Sequence, residues 1–531
     1  MIDISFFRGA KPKIQPHLLD VGEAQKAVNC RLQSGGLRAF RDSTLIQALA
    51  LPAASTIHKF GETDFWLEFA NDANAVEGPV ASDTESTTYF TGDGLPAMTY
   101  ASIATSGAAP YPTNRYTLGI PAPELAPNAS VSGVATGDDE IADSRAYVVT
   151  YVSARGEEGP PSNPTVIVDV LEGQTVNLTA IPVAPTGNYN ITAKRIYRTS
   201  TSNGDTDYLY VDEIPIATTT YDDTLESEYL ADILPSTDWN PPPEGMQGLV
   251  SCPNGVLAGF YEKELHLSQP FLPHAWPYSI TLDQPIVGLV SIRGGLVVAT
   301  TGQPVLVSFT DPSAAAQTTI ENPRACVSKR SMVDMGDYAV YATAEGLAAV
   351  DGSGQSPLIT QNVIDRYEWQ KLNPETIHAY RLENWYVAFY QGENGNGGFA
   401  ITTSGDDFVE LDFYADAGFT DSKTAALYLA IAGNIVRWDD DEANLLTYTW
   451  HSGTVLLPKP KNMAAARVDA ESYPVEFSVY SDGALLFSRT VNSSDPFWLP
   501  ANYLIRRYSI ELSGTATVRR ATVAESIEEL T

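Results

Sequence analysis

Cysteine is nearly absent. Three residues in 531, Cys30, Cys252 and Cys326, stand far apart and are odd in number. That excludes a disulfide framework and a cysteine zinc knuckle, and it fits folding in a reducing compartment. The six histidines, His17, His58, His266, His274, His378 and His451, never fall at the i, i+3 or i+4 spacing that aims two rings at one metal. No apolar run approaches the roughly 18 residues of a membrane span. The opening Met1 to Arg8 shows no basic segment followed by an apolar one, so the expectation is a soluble, unexported chain without a membrane span. Basic side chains are scarce as well: 32 Lys and Arg against 65 Asp and Glu leave a formal charge of −33. Such a balance argues against a general nucleic-acid-binding surface and in itself serves solubility.

Motifs that carry catalysis are missing in the same way. There is no Gly-x-Ser-x-Gly elbow; Asp351-Gly352-Ser353-Gly354 reads as a turn, without the strand-to-helix setting that exposes a nucleophile. The glycine-rich run Gly392 to Gly398 has no Lys-Ser/Thr pair and no helix after it, so it reads as a flexible hairpin tip and not as a phosphate loop. The acidic run Asp439-Asp440-Asp441-Glu442 lacks the alternation of a calcium loop and reads as a solvated turn. Trp369, Trp385 and Trp438 read as packing between sheets, and the sequons at Asn128, Asn177, Asn190 and Asn492 as chance. Acid pairs for glycoside hydrolysis come together only in a fold, and nothing singles them out. The sequence therefore assigns no catalytic residue, no cofactor and no metal ligand.

What is present is β-structure: 27 Tyr, 18 Phe, 39 Gly and 35 Pro, Thr and Val throughout, and almost no helical periodicity. One hairpin-sized unit organises the chain, Gly294 to Phe309, two β-branched runs about the turn Thr301-Gly302. It returns from Asp337 to Gly352, and in weaker form at Trp385 to Ile401 and Ala425 to Trp438. Recurrence about every 40 to 50 residues is the spacing of β-propeller blades. Further short strands between Ile57 and Tyr116 supply one or two more.

Composition shifts at Gly119 to Pro127 and at Trp239-Asn240-Pro241-Pro242-Pro243 bracket about seven strands, the size of a fibronectin type III or Ig-like sandwich. The expected fold is all-β: a propeller core, an inserted fibronectin type III/Ig-like β-sandwich and a C-terminal β segment. Its parts are an extended N-terminal arm and hairpin (1–50), first propeller strands (51–120), the sandwich (121–243), the main blades (244–460) and a segment closing the propeller (461–531). Within the arm, Pro12 and Pro16 block early helix, Gly22 to Val28 suits a short helical turn, and Gly35-Gly36 suits a hairpin between Val28 to Leu32 and Leu37 to Phe40.

Charge is uneven along the chain. Up to Arg41 there are seven basic residues, Arg8, Lys11, Lys13, Lys26, Arg31, Arg38 and Arg41, against Asp3, Asp20 and Glu23. A basic arm on an acidic body suits docking to an acidic neighbour or to the next copy of the chain.

The run Pro16 to Asp20, Ala24 to Leu32 and Ser34-Gly35-Gly36-Leu37 resembles the start of tail nozzle, or tail hub, proteins of short-tailed bacteriophages. The likeness continues through Gly78-Pro79-Val80, Asp83-Thr84, Tyr89 to Pro96 and Tyr116 to Pro123, and returns at Trp498-Leu499-Pro500, Ile510 to Gly514 and Glu525 to Leu530. The resemblance implies a propeller core with added β-domains, a homohexamer below the portal and its adaptor, contacts with tail fibre or spike proteins, and a lumen through which phage DNA leaves without specific binding. It implies a virion protein made in the host cytoplasm and carries no catalytic residue across. The well-marked sandwich insertion is a departure, for such proteins carry one variably. Six chains at −33 sum to about −198, and acidic side chains lining a lumen would repel phosphate. The rival readings are a propeller that binds a host receptor or glycan, and a glycan-degrading enzyme.

Overall fold

A computed structural model describes all residues except 33, 137–141, 201–204, 231, 501–503 and 531; Gln33, inside the expected N-terminal hairpin, thus lies outside the described residues. The chain is nearly all strand, with α-helix among the described residues confined to Ala101–Ala104 and Arg366–Gln370.

Seven small antiparallel sheets follow one another round a ring. Blade 1 holds Thr56–Lys59 and Trp66–Phe69, with Leu67 bridging Tyr111. Blade 2 holds Asn74–Glu77, Thr88–Thr91, Ala97–Thr99 and Tyr116–Thr117, and blade 3 holds Gln247–Ser251, Leu257–Tyr261, Glu264–Leu267 and Tyr278–Thr281. Blade 4 comprises Ile286–Ile292, Gly295–Thr300, Val305–Ser308 and Ala316–Thr319; blade 5 comprises Val333–Asp334, Tyr338–Thr343 and Gly346–Asp351. Blade 6 runs His378–Leu382, Trp385–Gly392, Gly395–Thr402 and Phe408–Leu411, and blade 7 runs Ala417–Asp421, Ala426–Ile431 and Asn434–Leu445. The recurring hairpins of the sequence are the second and third strands of blades 4 to 7.

Neighbouring blades bury their faces against each other. Phe69 meets Phe90 at 5.1 Å between blades 1 and 2. Tyr89 and Met98 pack on Leu249 and Trp276 between blades 2 and 3, and Leu265 packs with Leu289 and Val298 between 3 and 4. Val297 joins Tyr341 and Ala348 between blades 4 and 5, and Trp66 meets Tyr428 at 4.9 Å between 1 and 7. Each such side chain, fully buried, stabilises the ring by roughly 1.5–3 kcal/mol. Where the tips of blades 4 and 5 touch, a Cβ on Gly294 would stand 2.5 Å from the Cα of Gly352, so two glycines permit backbone-to-backbone approach.

The ring closes in blade 7, whose outer strand is Arg41–Ala48, paired antiparallel with Asn434–Leu445. This corrects the expectation that residues 461–531 close it. Eight residues from the N-terminal side already occupy the edge of Asn434–Leu445 that a closing strand from 461–531 would need. The strands from Tyr448 to Ala524 instead form a two-sheet domain with the N-terminal residues, and that domain shares its core with blades 5 and 6. One sheet orders Ile2–Ile4, Val518–Ala524, Ala465–Ala470 and Phe497–Trp498. The other runs from Ala24–Val28 through Tyr448–Ser452, Ile505–Gly514 and Val475–Ser481 to Ala484–Val491, and a parallel pairing of Val28 with Glu410 joins it to blade 6. Residues 1–50 are therefore woven into two domains, and the expected helical turn at Gly22 to Val28 is a turn at Gly22 followed by the strand Ala24–Val28. The edges offered by Tyr448–Ser452 and Phe408–Leu411 supply the hydrogen bonds that a lone turn of helix lacks.

Between blades 2 and 3 lies the inserted sandwich. One sheet is Asn128–Ser132, Thr175–Thr179 and Tyr221–Asp223; facing it are Tyr147–Ser153, Ile191–Ser200 and Asp205–Pro215, with Asp143–Arg145 paired to Val168–Val170. Tyr147, Val149, Val176, Leu178 and Ile196 fill its core. A fully buried Arg198 lies 3.3 Å from the equally buried Asp223, which also accepts the Tyr147 hydroxyl at 2.7 Å. The insertion leaves and rejoins the propeller at one place, for a Cβ on Gly119 would stand 2.7 Å from the Pro241 side chain.

Candidate functional site: an arginine-lined recess

The seven basic residues of the N-terminal stretch do not share one surface. Lys11 is half-buried in an ion pair with the buried Glu23, and Lys13 donates to the Gln361 carbonyl at 2.5 Å. Arg8 lies over the ring of Phe6, 5.5 Å from its centroid, and the charge of Lys26 is felt by Glu410 and His451. Of these four, Lys11 is in an ion pair, while Arg8, Lys13 and Lys26 are exposed. The remaining three, Arg31, Arg38 and Arg41, come together in a recess of about 460 Å³ whose walls include Ser34, Thr515 and Thr517.

The geometry follows from strand register. Cys30–Arg31 pairs with Arg38–Ala39, so Arg31 stands directly opposite Arg38; Arg41 pairs with Leu445. Like charges directly opposed across a ladder repel. Three carboxylates from blades 6 and 7 balance the three guanidiniums in number, though they pair with only two of them. Glu383 takes one fork of Arg31 with both oxygens at 2.8 Å, while Asp439 takes another and accepts the Arg41 backbone N–H at 2.7 Å. Glu442 lies 3.1 Å from the Arg41 guanidinium. Arg38, exposed, has no ion-pair partner among the described residues.

The acidic run at 439–442 is consequently not a solvated turn. It is a bulge inside the strand Asn434–Leu445, with Asp439 at φ 56° turning its carboxylate inward. Burial pushes the Asp439 carboxyl upward, opposed by the Arg41 N–H and the Arg31 charge. Asp441 caps its own loop, accepting from the backbone of Ala443 at 2.9 Å and the side chain of Asn444 at 2.7 Å. Among the described residues no group of three or more His, Cys, Asp or Glu side chains is placed to hold a metal ion. The three cysteines are free and buried, and burial pushes the thiols of Cys252 and Cys326 up to about 12. The run at 392–398 is an ordered hairpin, not a loose tip: Gly392 pairs with Gly395, and the Tyr390 ring lies over Gly397, where a Cβ would meet its hydroxyl at 2.6 Å. Trp369, Trp385 and Trp438 are buried, and Phe40 carries the packing of the hairpin onto the last two at 5.9 and 4.9 Å.

A second feature escaped the sequence reading. The turn Lys329–Ser331 leads into blade 5, yet Lys329 donates to the Asn74 side chain at 2.8 Å and the Asp72 carbonyl at 3.1 Å, at the start of blade 2. Arg330 donates to the carbonyls of Ser55 at 2.6 Å and Asp416 at 3.0 Å, which lead into blades 1 and 7. In a ring of seven, blade 5 stands opposite blades 1 and 2, so these bonds cross the axis and shut it at that level. At the other end the axial mouth carries both signs, with Lys59, Lys423 and Arg381 beside Glu77, Asp421 and Asp334. The one sequence signal was a Lys-Arg pair in an acidic chain.

No family model matches the chain, and no curated protein matches it. Solved structures do. The WD40 domain of Neurospora crassa Pan2 is 8% identical over 51% of this chain and 87% of its own, with a TM-score of 0.26. Citrobacter koseri AztD is 12% identical over 70% of this chain and 94% of its own, with a TM-score of 0.26. Saccharomyces cerevisiae Sqt1 is 8% identical over 78% and 98%, with a TM-score of 0.25. The propeller assignment itself rests on the strand pairing described above.

Proposed function

We propose that this chain is a structural virion protein, the ring-forming tail nozzle or hub of a short-tailed phage, standing as a homohexamer below the portal and adaptor. The observation that supports the reading most is where the nozzle-like stretches lie. Those near the N-terminus and those near the C-terminus are about 480 residues apart in sequence, yet they build one domain. Ala24–Val28 pairs with Tyr448–Ser452, which pairs with Ile505–Gly514; the Leu37 N–H and carbonyl both bond Val518 at 2.9 Å. Resemblance scattered along the chain is thereby resemblance of one contiguous body plus blade 2.

In this reading the propeller and terminal domain are the wall of the ring, the inserted sandwich projects from blade 2 towards tail fibres or the host surface, and the DNA conduit lies between copies. No residue has a catalytic, metal or cofactor role. The test is to count this chain against the major capsid protein in purified particles by quantitative mass spectrometry. About six copies per particle is the expected result; absence from particles overturns the proposal and brings forward the receptor- or glycan-binding reading.

A further inference from the structure

We infer that the well at the open end of the propeller axis is a binding site for a neutral, polyhydroxylated ligand, a saccharide, held between blades 1, 2 and 7. The well belongs to the single propeller, whatever ring the chain builds. The inner strands of these blades end there together: Thr56–Lys59, Asn74–Glu77 and Ala417–Asp421 bring His58, Lys59, Glu77, Phe419 and Asp421 to the walls of a cavity of about 650 Å³. That volume falls within the roughly 300–1,000 Å³ of small-molecule sites. Lys329 and Arg330 shut the axis at the other end, so the well is blind and takes a small molecule or the end of a chain.

Three features of the walls select the ligand. First, the charges are paired among themselves. Lys423 lies 3.3 Å from Glu77 and 3.7 Å from Glu62, and Lys59 lies 3.9 Å from Asp421, which also accepts the Thr424 hydroxyl at 2.8 Å and the Lys423 backbone N–H at 2.9 Å. An ion of either sign must break one of these pairs, and it then meets a like charge beside the one it seeks. A hydroxyl, donor and acceptor at once, bonds a carboxylate on one side and an ammonium on the other with every pair intact. Second, an apolar surface stands among the charges. The half-buried Phe419 lines the cavity, and its ring is fixed by edge contacts with His58 at 4.9 Å and Trp66 at 5.9 Å. A sugar ring carries C–H groups beside its hydroxyls, so it can cover the electron-rich face of an aromatic ring while its hydroxyls reach the charged rim. Third, one wall residue has a polar atom without a partner. His58 is 7% exposed, its Nε2 makes no hydrogen bond among the described residues, and burial lowers its pKa to about 4, which keeps it neutral. Of the groups a ligand could bring, a hydroxyl serves such a nitrogen in either tautomer, because it both donates and accepts.

The full-length protein and its Lys423→Ala, Phe419→Leu and Arg519→Ala variants are compared by saturation-transfer NMR and calorimetric titration. The probes are the neutral methyl glycosides of glucose, galactose, mannose and rhamnose, neutral N-acetylglucosamine, anionic galacturonate and cationic glucosamine. The expected result is that at least one neutral sugar binds, and that K423A and F419L each weaken it by about tenfold or more. R519A should leave binding unchanged, since Arg519 is exposed and pairs with Glu471 in the terminal domain. Phe419 packs on neighbouring aromatics, so melting temperatures are recorded alongside; Lys423, 54% exposed, keeps the test decisive if F419L folds poorly. The site is refuted if no neutral sugar receives saturation, if K423A binds like the parent, or if galacturonate or glucosamine binds more tightly than the galactoside or N-acetylglucosamine. These outcomes are distinct from the particle count: six copies per particle without sugar binding removes the saccharide site and leaves the nozzle, whereas absence from particles removes the nozzle whatever the sugars do.

Discussion

Arg330→Ala should loosen the whole propeller, because Arg330 holds backbone on the approaches to two other blades and also stands beside the Tyr380 side chain of blade 6. Its guanidinium holds the Ser55 carbonyl at 2.6 Å and the Asp416 carbonyl at 3.0 Å, so one side chain ties the approach to blade 5 to the approaches of blades 1 and 7. Blades 7 and 1 are the pair between which the ring closes, so the tie lies where opening would begin. A hydrogen bond to a charged group contributes about 1.5–3 kcal/mol, and alanine leaves two carbonyls short of a donor. Discounting for partial exposure, the expected loss is roughly 2–4 kcal/mol. For a cooperative unit the size of the ring, at about 2.1 cal/mol/K per residue, that is a fall in melting temperature of roughly 3–7 °C. Arg293→Ala is the matched control, for Arg293 is 84% exposed, pairs with the exposed Asp337 at 3.3 Å and should cost next to nothing. Differential scanning calorimetry of the three proteins decides the matter. If R330A melts within a degree or two of the parent, or no lower than R293A, the axial crossing does not hold the ring and the argument fails.

Acid should destabilise the fold before its carboxylates titrate. Burial lowers the pKa of His58, His274 and His378 from 6.5 to about 4, holding each neutral, while the unfolded chain takes up their protons near 6.5. Between those values the unfolded state binds more protons, so stability falls as pH falls, by about 2 kcal/mol per histidine from pH 7 to 5. Asp334, Asp407 and Glu410, raised by burial, run the other way and make the net loss smaller than the histidine sum. A melting temperature flat from pH 7 to 5 would contradict this. Replacing residues 124–240 with a short Gly-Ser link should leave a cooperatively folded propeller, because Gly119 and Pro241 already touch and the losses are a few surface contacts: Arg155 over Tyr100 at 4.6 Å and on Thr87 at 3.0 Å, Asn188 with the backbone of Arg115 and Thr117 at 2.6 and 2.8 Å, and the Asn240 carbonyl on Trp276 at 2.9 Å. Deleting residues 1–50 should leave no soluble protein, since it strips blade 7 of its outer strand and the terminal domain of two. Circular dichroism and solubility on expression read both outcomes, and a soluble, folded deletion of 1–50 would refute the closure argument.

The parts legible in sequence were those whose partners are near in the chain. The second and third strands of blades 4 to 7 are joined by tight turns, so alternation and turn residues reveal each hairpin locally, and the Pro-rich flanks mark the inserted sandwich for the same reason. The closing strand shows how this fails. Arg41–Ala48 pairs with residues almost 400 positions away, and Leu45 and Ile46 face solvent, so no local pattern marks it as a blade strand. Ala24–Val28 was obscured likewise, since its partners are Tyr448–Ser452 and Glu410. Of the seven basic residues, composition showed the cluster, but only the register of the Cys30–Arg31 and Arg38–Ala39 ladder brings Arg31 and Arg38 face to face. Lys329 and Arg330 were invisible because most of their acceptors are backbone carbonyls, which no residue type advertises.

The crossing of the axis also constrains where DNA passes in the proposed ring. Lys329 reaches Asn74 at 2.8 Å from the opposite side of the propeller, so no polymer threads a single chain there. A conduit then belongs to the assembly, walled by outer faces of several copies, and the charge that matters is the charge of those faces. Repulsion between fixed acidic groups and phosphate dies away within about 8 Å at physiological salt. Only carboxylates on the lumen wall itself can therefore keep DNA from adhering, and the rest of the −33 on each chain acts on solubility and on the approach of neighbours. A lumen wall of mainly Lys and Arg would break the argument.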